Sequence, residues 1–138
     1  MTRVLALHLD ETLALPMDRN HSQSIRRHIA YKGQLDYYCV ITKTTDTAPQ
    51  AAHSPVKGME VLPTNSANRY VFLRDTYKMA SRIISEEQID ALTVQDWRWL
   101  GLVGLLLRHR FRLALNLQLH SQVYNNPYRR RESLEAWM

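Results

Sequence analysis

Only one cysteine and four glycines occur in the 138 residues of this chain. A single thiol, Cys39, excludes an internal disulfide framework and a cysteine-built metal site, and it fits a reducing cytosol. Cys39 stands inside the apolar run YYCVIT, where a lone thiol behaves as a small hydrophobe. With so few glycines there is neither a GxGxxG fingerprint nor a P-loop, so a diphosphate is not expected at the first strand–helix turn. The six histidines form no HxH or HExxH pattern, and no serine occupies a GxSxG elbow. No metal site and no cofactor are expected from these patterns.

Long hydrophobic runs are missing too. The longest, Trp97 to Leu107, is interrupted by Arg98 and closed by Arg108, His109 and Arg110. It is about half the length that a bilayer span needs. The opening MTRVLALHLD is broken early by His8 and Asp10 and does not read as a signal peptide. A cytoplasmic protein is the expectation. A hydrophobic share of 45% and a charged share of 22% fit an ordinary globular chain, long enough for one domain with a real core. The net charge of +5 and pI near 9.6 favour anionic partners such as phosphates, nucleotides or acidic lipid.

Apolar runs alternate with helical spacing along the chain. Strands are expected at Val4–Leu9, Tyr37–Thr42, Met59–Leu62, Ala91–Val94 and Leu113–Leu119. Glu11 to Asn20 reads as a loop, with Pro16 and Asn20 as breakers. Helices are expected at His21–Tyr31, ended by Gly33, and at Arg69–Glu86, capped by Asn68. A third begins at Trp97 with Asp96 as its cap. Lys43 to Gly58, polar and carrying Pro49 and Pro55, reads as a long loop. Tyr70, Tyr77, Trp97 and Trp99 read as core and rim. The alternation predicts an α/β fold: a mostly parallel sheet with helices on both faces. Glu132 to Met138 reads as the start of a further helix, as in a longer chain that has been cut.

Ligands of such sheets bind outside the carboxyl ends of the strands. His120 stands at the end of the fifth strand, where an imidazole can move a proton or bond a hydroxyl near neutral pH. A histidine closing a strand and bonding loop backbone fits the same spacing. Asp96 and Gln95 end the fourth strand. Asp96 can cap the following helix, contact a ligand hydroxyl, or do both. Asp10 and Glu11 close the first strand. Arg129, Arg130 and Arg131 follow Pro127 and Tyr128, where they could bind phosphate or form a solvated face or domain interface.

The run from Gly58 to Leu134 contains PTNS before a long helix, IDALTVQD before GLVGLLL, and LNLQLHSQVYNNPY. These motifs resemble the N-terminal half of a family 4 glycosyltransferase of the GT-B fold, a Rossmann-like domain on the acceptor side. Residues 1–57 fit that scheme only generally. The resemblance implies a single acceptor-side domain over 1–138 and retaining transfer from a nucleotide sugar to a hydroxyl of a polysaccharide or lipid-linked glycan, without a required metal. It implies that His120 is the catalytic histidine that contacts the transferred sugar. It places Asp96, Gln95 and the loop bearing Asp10 and Arg19 on the substrate side. Two departures stand out: the Gly-rich loop common after the first strand is missing, and the C-terminal donor domain with its E-x7-E element is absent. Alone the chain is expected to be inactive. The basic balance would suit a peripheral position on an anionic membrane surface.

The rival expectation is a non-catalytic Rossmann-like module that binds a sugar, a nucleotide or a partner chain. Nucleic acid is not an expected partner. The arginine cluster alone suggests it, a steep salt dependence would reveal it, and no nucleic-acid-binding motif accompanies the cluster.

Overall fold

The computed structural model describes residues 2–18, 22–96 and 98–118. Five strands form one all-parallel sheet: β1 (Arg3–His8), β2 (Tyr37–Thr42), β3 (Met59–Pro63), β4 (Ala91–Val94) and β5 (Ala114–Leu117), in the order β3-β2-β1-β4-β5. The helices are α1 (Gln23–Lys32), α2 (Arg69–Glu87) and α3 (Trp99–Phe111). This is the Rossmann-like α/β architecture that the alternation of patterns predicts, with every strand pair parallel.

The two faces follow from strand alternation. Leu5, Leu7, Tyr37, Cys39, Ile41, Leu92 and Val94 meet α2 and α3 on one face. Ala6, Tyr38, Val40, Met59 and Val61 meet Ile25 of α1 and Leu13 on the other. All six residues of β2 are buried, as a strand covered on both faces requires. Each fully buried Leu, Ile, Val or Phe contributes about 1.5–3 kcal/mol.

β1 is tied down where it starts. The Asp36 carboxylate accepts the Thr2 N–H at 2.6 Å, and the Asp90 carboxylate accepts the Arg3 N–H at 2.8 Å. Asp36 immediately precedes β2 and Asp90 immediately precedes β4. The Arg3 guanidinium pairs with Glu87 at 2.7 Å and lies over the Tyr37 ring.

Several local expectations are corrected. Residues 11–14 are not plain loop but a 3-10 turn, Glu11–Ala14, which buries Leu13 and Ala14. Asp96 does not cap a helix at Trp97. Helix α3 starts at Trp99, its cap residue is Arg98 with no side-chain cap bond, and the Asp96 carboxylate instead accepts the Arg98 N–H at 3.2 Å. The reason is close packing. A Cβ on Gly101 would stand 2.8 Å from the Asp96 carbonyl oxygen, and one on Gly104 would stand 2.8 Å from Val94 Cγ2. The two glycines let α3 lie directly against the end of β4. Gly33 ends α1 as expected, though in a right-handed conformation. Of the aromatics expected at core and rim, Tyr70 and Trp99 are 69% and 59% exposed.

The long loop from Lys43 to Gly58 is stitched to its surroundings. His53 exchanges two backbone hydrogen bonds with Val61, at 3.1 and 2.8 Å, and so covers the outer edge of β3. Ser66 donates its N–H to the Thr44 carbonyl at 2.9 Å. Among the described residues, no helix is long and apolar enough to cross a membrane.

Candidate functional site

The chain leaves β1 for α1 and β2 on one side, and β4 lies on the other side of β1. This is the switch point of the sheet, where diverging connections open a crevice at the carboxyl edge. A cleft of about 390 Å³ occupies it, lined by His8, Leu9, Asp10, Ser24, Arg27 and Gln95. Each side chain arrives there for a local reason. His8 is the last residue of β1, and Asp10 caps the turn that follows. Gln95 extends β4 by one bond, donating its N–H to the Leu7 carbonyl at 3.2 Å. Ser24 and Arg27 stand three apart in the first turns of α1, so they share one side of that helix. Ser22 caps α1 by accepting the Ile25 N–H at 3.3 Å.

Asp10 is the charged centre of the cleft. Its Oδ1 accepts the Thr12 N–H at 3.0 Å and the Thr12 hydroxyl at 2.6 Å, and the Ser24 hydroxyl also reaches it. Partial burial pushes this carboxyl up. The hydrogen bonds from Ser24 and Thr12, helped by the nearby His8, outweigh that push and hold it below the usual carboxylate range. Asp10 is therefore ionised at neutral pH. Its backbone is fixed as well, because the Thr42 hydroxyl donates to the Asp10 carbonyl.

Of the residues singled out in the sequence, Asp10 and Gln95 meet in this cleft. Asp96 lies next to Gln95, is half-buried and engages the Arg98 N–H, and it does not line the cleft. His120, Arg19, Arg129 and Arg130 lie outside the described residues. The sequence reading missed His8, Ser24 and Arg27. The strand-end rule that selected Asp10 would also have selected His8, and the i, i+3 spacing of Ser24 and Arg27 was visible on α1. Cys39 takes no part: burial, with Glu60 nearby, pushes its thiol up to about 12. Among the described residues, no group of three His, Cys, Asp or Glu side chains is placed to hold a metal ion.

No family model, curated protein or solved structure matches this chain.

Proposed function

We propose that this chain is the acceptor-side domain of a retaining glycosyltransferase, with the cleft at the ends of β1 and β4 as the seat of a hydroxyl-bearing acceptor. The observation that carries this reading is the convergence of Asp10, Gln95 and Arg27 on one switch-point cleft. An ionised carboxylate accepts from hydroxyls, a primary amide donates and accepts, and a guanidinium pairs with phosphate or carboxylate. Together they suit a sugar bearing an anionic neighbour, such as a lipid-linked glycan, better than an apolar ligand. The resemblance over residues 58–134 supports the direction of the chemistry, transfer from a nucleotide sugar. In this reading His120 contacts the transferred sugar, while Arg129 and Arg130 bind phosphate or face a donor-binding domain. That domain, contiguous with this chain or on another, would deliver the nucleotide sugar. The basic balance suits a cytoplasmic protein resting on an anionic membrane face.

A non-catalytic binding module is the second reading, and Asp10 favours it. Its carboxylate is already engaged by Thr12 and Ser24, an arrangement better suited to holding a ligand than to moving a proton.

The test captures the species carrying this domain from its native cells, reads its intact mass and offers it labelled nucleotide sugars with lipid-linked acceptors. The expected result is a mass well above 16.2 kDa and sugar transfer that His120→Ala abolishes. Asp10→Asn should raise the acceptor KM about tenfold, the loss of one charged hydrogen bond. A 16.2 kDa species that binds sugars, transfers none and carries no donor-binding partner chain with it would overturn the glycosyltransferase reading in favour of the module.

A further inference from the structure

A polar column runs through the core behind the cleft. Tyr38 on β2, His28 on α1 and His8 at the end of β1 share the α1 side of the sheet, and all three are at least 95% buried. The Tyr38 hydroxyl and His28 Nδ1 form a hydrogen bond. The two rings lie at 12° with centroids 5.7 Å apart. The His28 ring meets His8 edge-on, at 79° and 4.6 Å, and Tyr31 closes another side at 5.5 Å. Hydrocarbon would fill this space at lower cost, because polar rings lose hydration on burial. The column also has a direction: its outer member, His8, lines the cleft.

We propose that His8 contacts the ligand of the cleft, and that His28 and Tyr38 are positioning residues that hold its imidazole towards a ligand hydroxyl. The inference rests on the cleft being the ligand site. Burial lowers His28 to about 4, with Arg27 adding to the effect and Asp10 opposing it. Burial also raises the Tyr38 phenol, with Tyr31 and Cys39 adding to it. Both groups are therefore neutral, and with the phenol as donor, Nδ1 of His28 accepts and the ring proton sits on Nε2. His8 then packs against one tautomer of its neighbour instead of a mixture. Asp10 follows His8 by two residues along the same cleft, and His8 helps to hold its carboxyl low. A ligand hydroxyl in that cleft can donate to the Asp10 carboxylate while accepting from the His8 imidazole.

The experiment titrates glucose 6-phosphate into the full chain with nitrogen-15-labelled histidine and reads the ring-nitrogen signals. Binding should move the His8 nitrogens, and His8→Ala should weaken affinity about tenfold. Tyr38→Phe removes only the hydroxyl. It should change the His28 nitrogen signals without ligand and weaken binding about threefold. The double variant Tyr38→Phe/His28→Phe removes both polar partners, so thermal stability should recover while the weaker binding persists. Recovery of binding as well would overturn the positioning role. Wild-type His28 must show an unprotonated Nδ1, and the opposite tautomer overturns the same role even if the variants fail to fold. Binding that responds to Asp10→Asn and Arg27→Ala but ignores His8→Ala overturns the inference and leaves the cleft as the ligand site. No binding at millimolar probe overturns both.

Discussion

Asn65 serves Gln50 as a neighbouring strand would. Its Oδ1 accepts the Gln50 N–H and its Nδ2 donates to the Gln50 carbonyl, both at 2.9 Å. The Thr44 hydroxyl donates to the same Oδ1 at 2.8 Å and accepts the Asn65 N–H at 2.8 Å. Asn65 sits at φ 48°, a left-handed conformation that asparagine tolerates better than most residues. Its side chain is thus a second stitch of the loop from Lys43 to Gly58, beside the His53–Val61 pair. Asn65→Ala is expected to destabilise the fold by about 2–3 kcal/mol and to open that loop to protease. Urea denaturation and limited proteolysis check this, and unchanged cleavage would show that the loop is held elsewhere.

The contact of α3 with β4 predicts a sharp size limit. At Gly101 a new methyl would meet backbone, the Asp96 carbonyl, which cannot rotate away. Gly101→Ala should cost about 1–3 kcal/mol despite alanine's better helix propensity. Gly104→Ala meets the Val94 side chain instead. The additional variant Val94→Ala should relieve the Gly104 clash and leave the Gly101 clash intact, as thermal melts of the single and double variants can show.

The buried His28 makes stability depend on pH. Its folded pKa, lowered to about 4, lies below the ordinary histidine value near 6.5. Between those two values the unfolded chain binds a proton that the folded chain refuses, so stability is full above about pH 6.5 and falls as pH drops towards 4. The loss should reach about 3 kcal/mol, since each pH unit of separation is worth about 1.4 kcal/mol. Urea midpoints from pH 4 to 8 measure the slope. In the Tyr38→Phe/His28→Phe variant the slope should flatten, and an equal slope there would assign the effect to another group.

Cys39 should be silent in the folded protein. It is fully buried, and its thiol is pushed up to about 12. Alkylation by iodoacetamide at pH 8 should proceed only at the rate of unfolding, and should become fast in denaturant. Rapid labelling of the native chain would contradict the packing of β2.

Much of this fold was legible in the sequence. The boundaries of β2 and β4 stand where the apolar runs begin and end, and Asn68 caps α2 by accepting the Tyr70 and Val71 N–H groups. These features depend on local pattern. The turn at Glu11–Ala14 was not legible, because four residues carry no period. The start of α3 was misread because Asp96 has good capping chemistry, while the close approach permitted by Gly101 is a tertiary fact. The candidate site divides in the same way. Asp10 and Gln95 follow from strand ends, but their meeting with Arg27 depends on the strand order, which the alternation of elements leaves open.

The clamp of Asp36 and Asp90 on the first residues of β1 gives the two ends of that strand opposite duties. The central strand is anchored to both neighbours at its amino end before it reaches the cleft. Its carboxyl end can therefore carry polar, hydration-hungry groups without setting the register of the sheet. Evolutionary change is then cheap at one edge and costly at the other. Replacing Asp36 or Asp90 should register as lost folding energy with affinity intact, whereas ligand preference can drift through Gln95 or Arg27 while the scaffold stays the same.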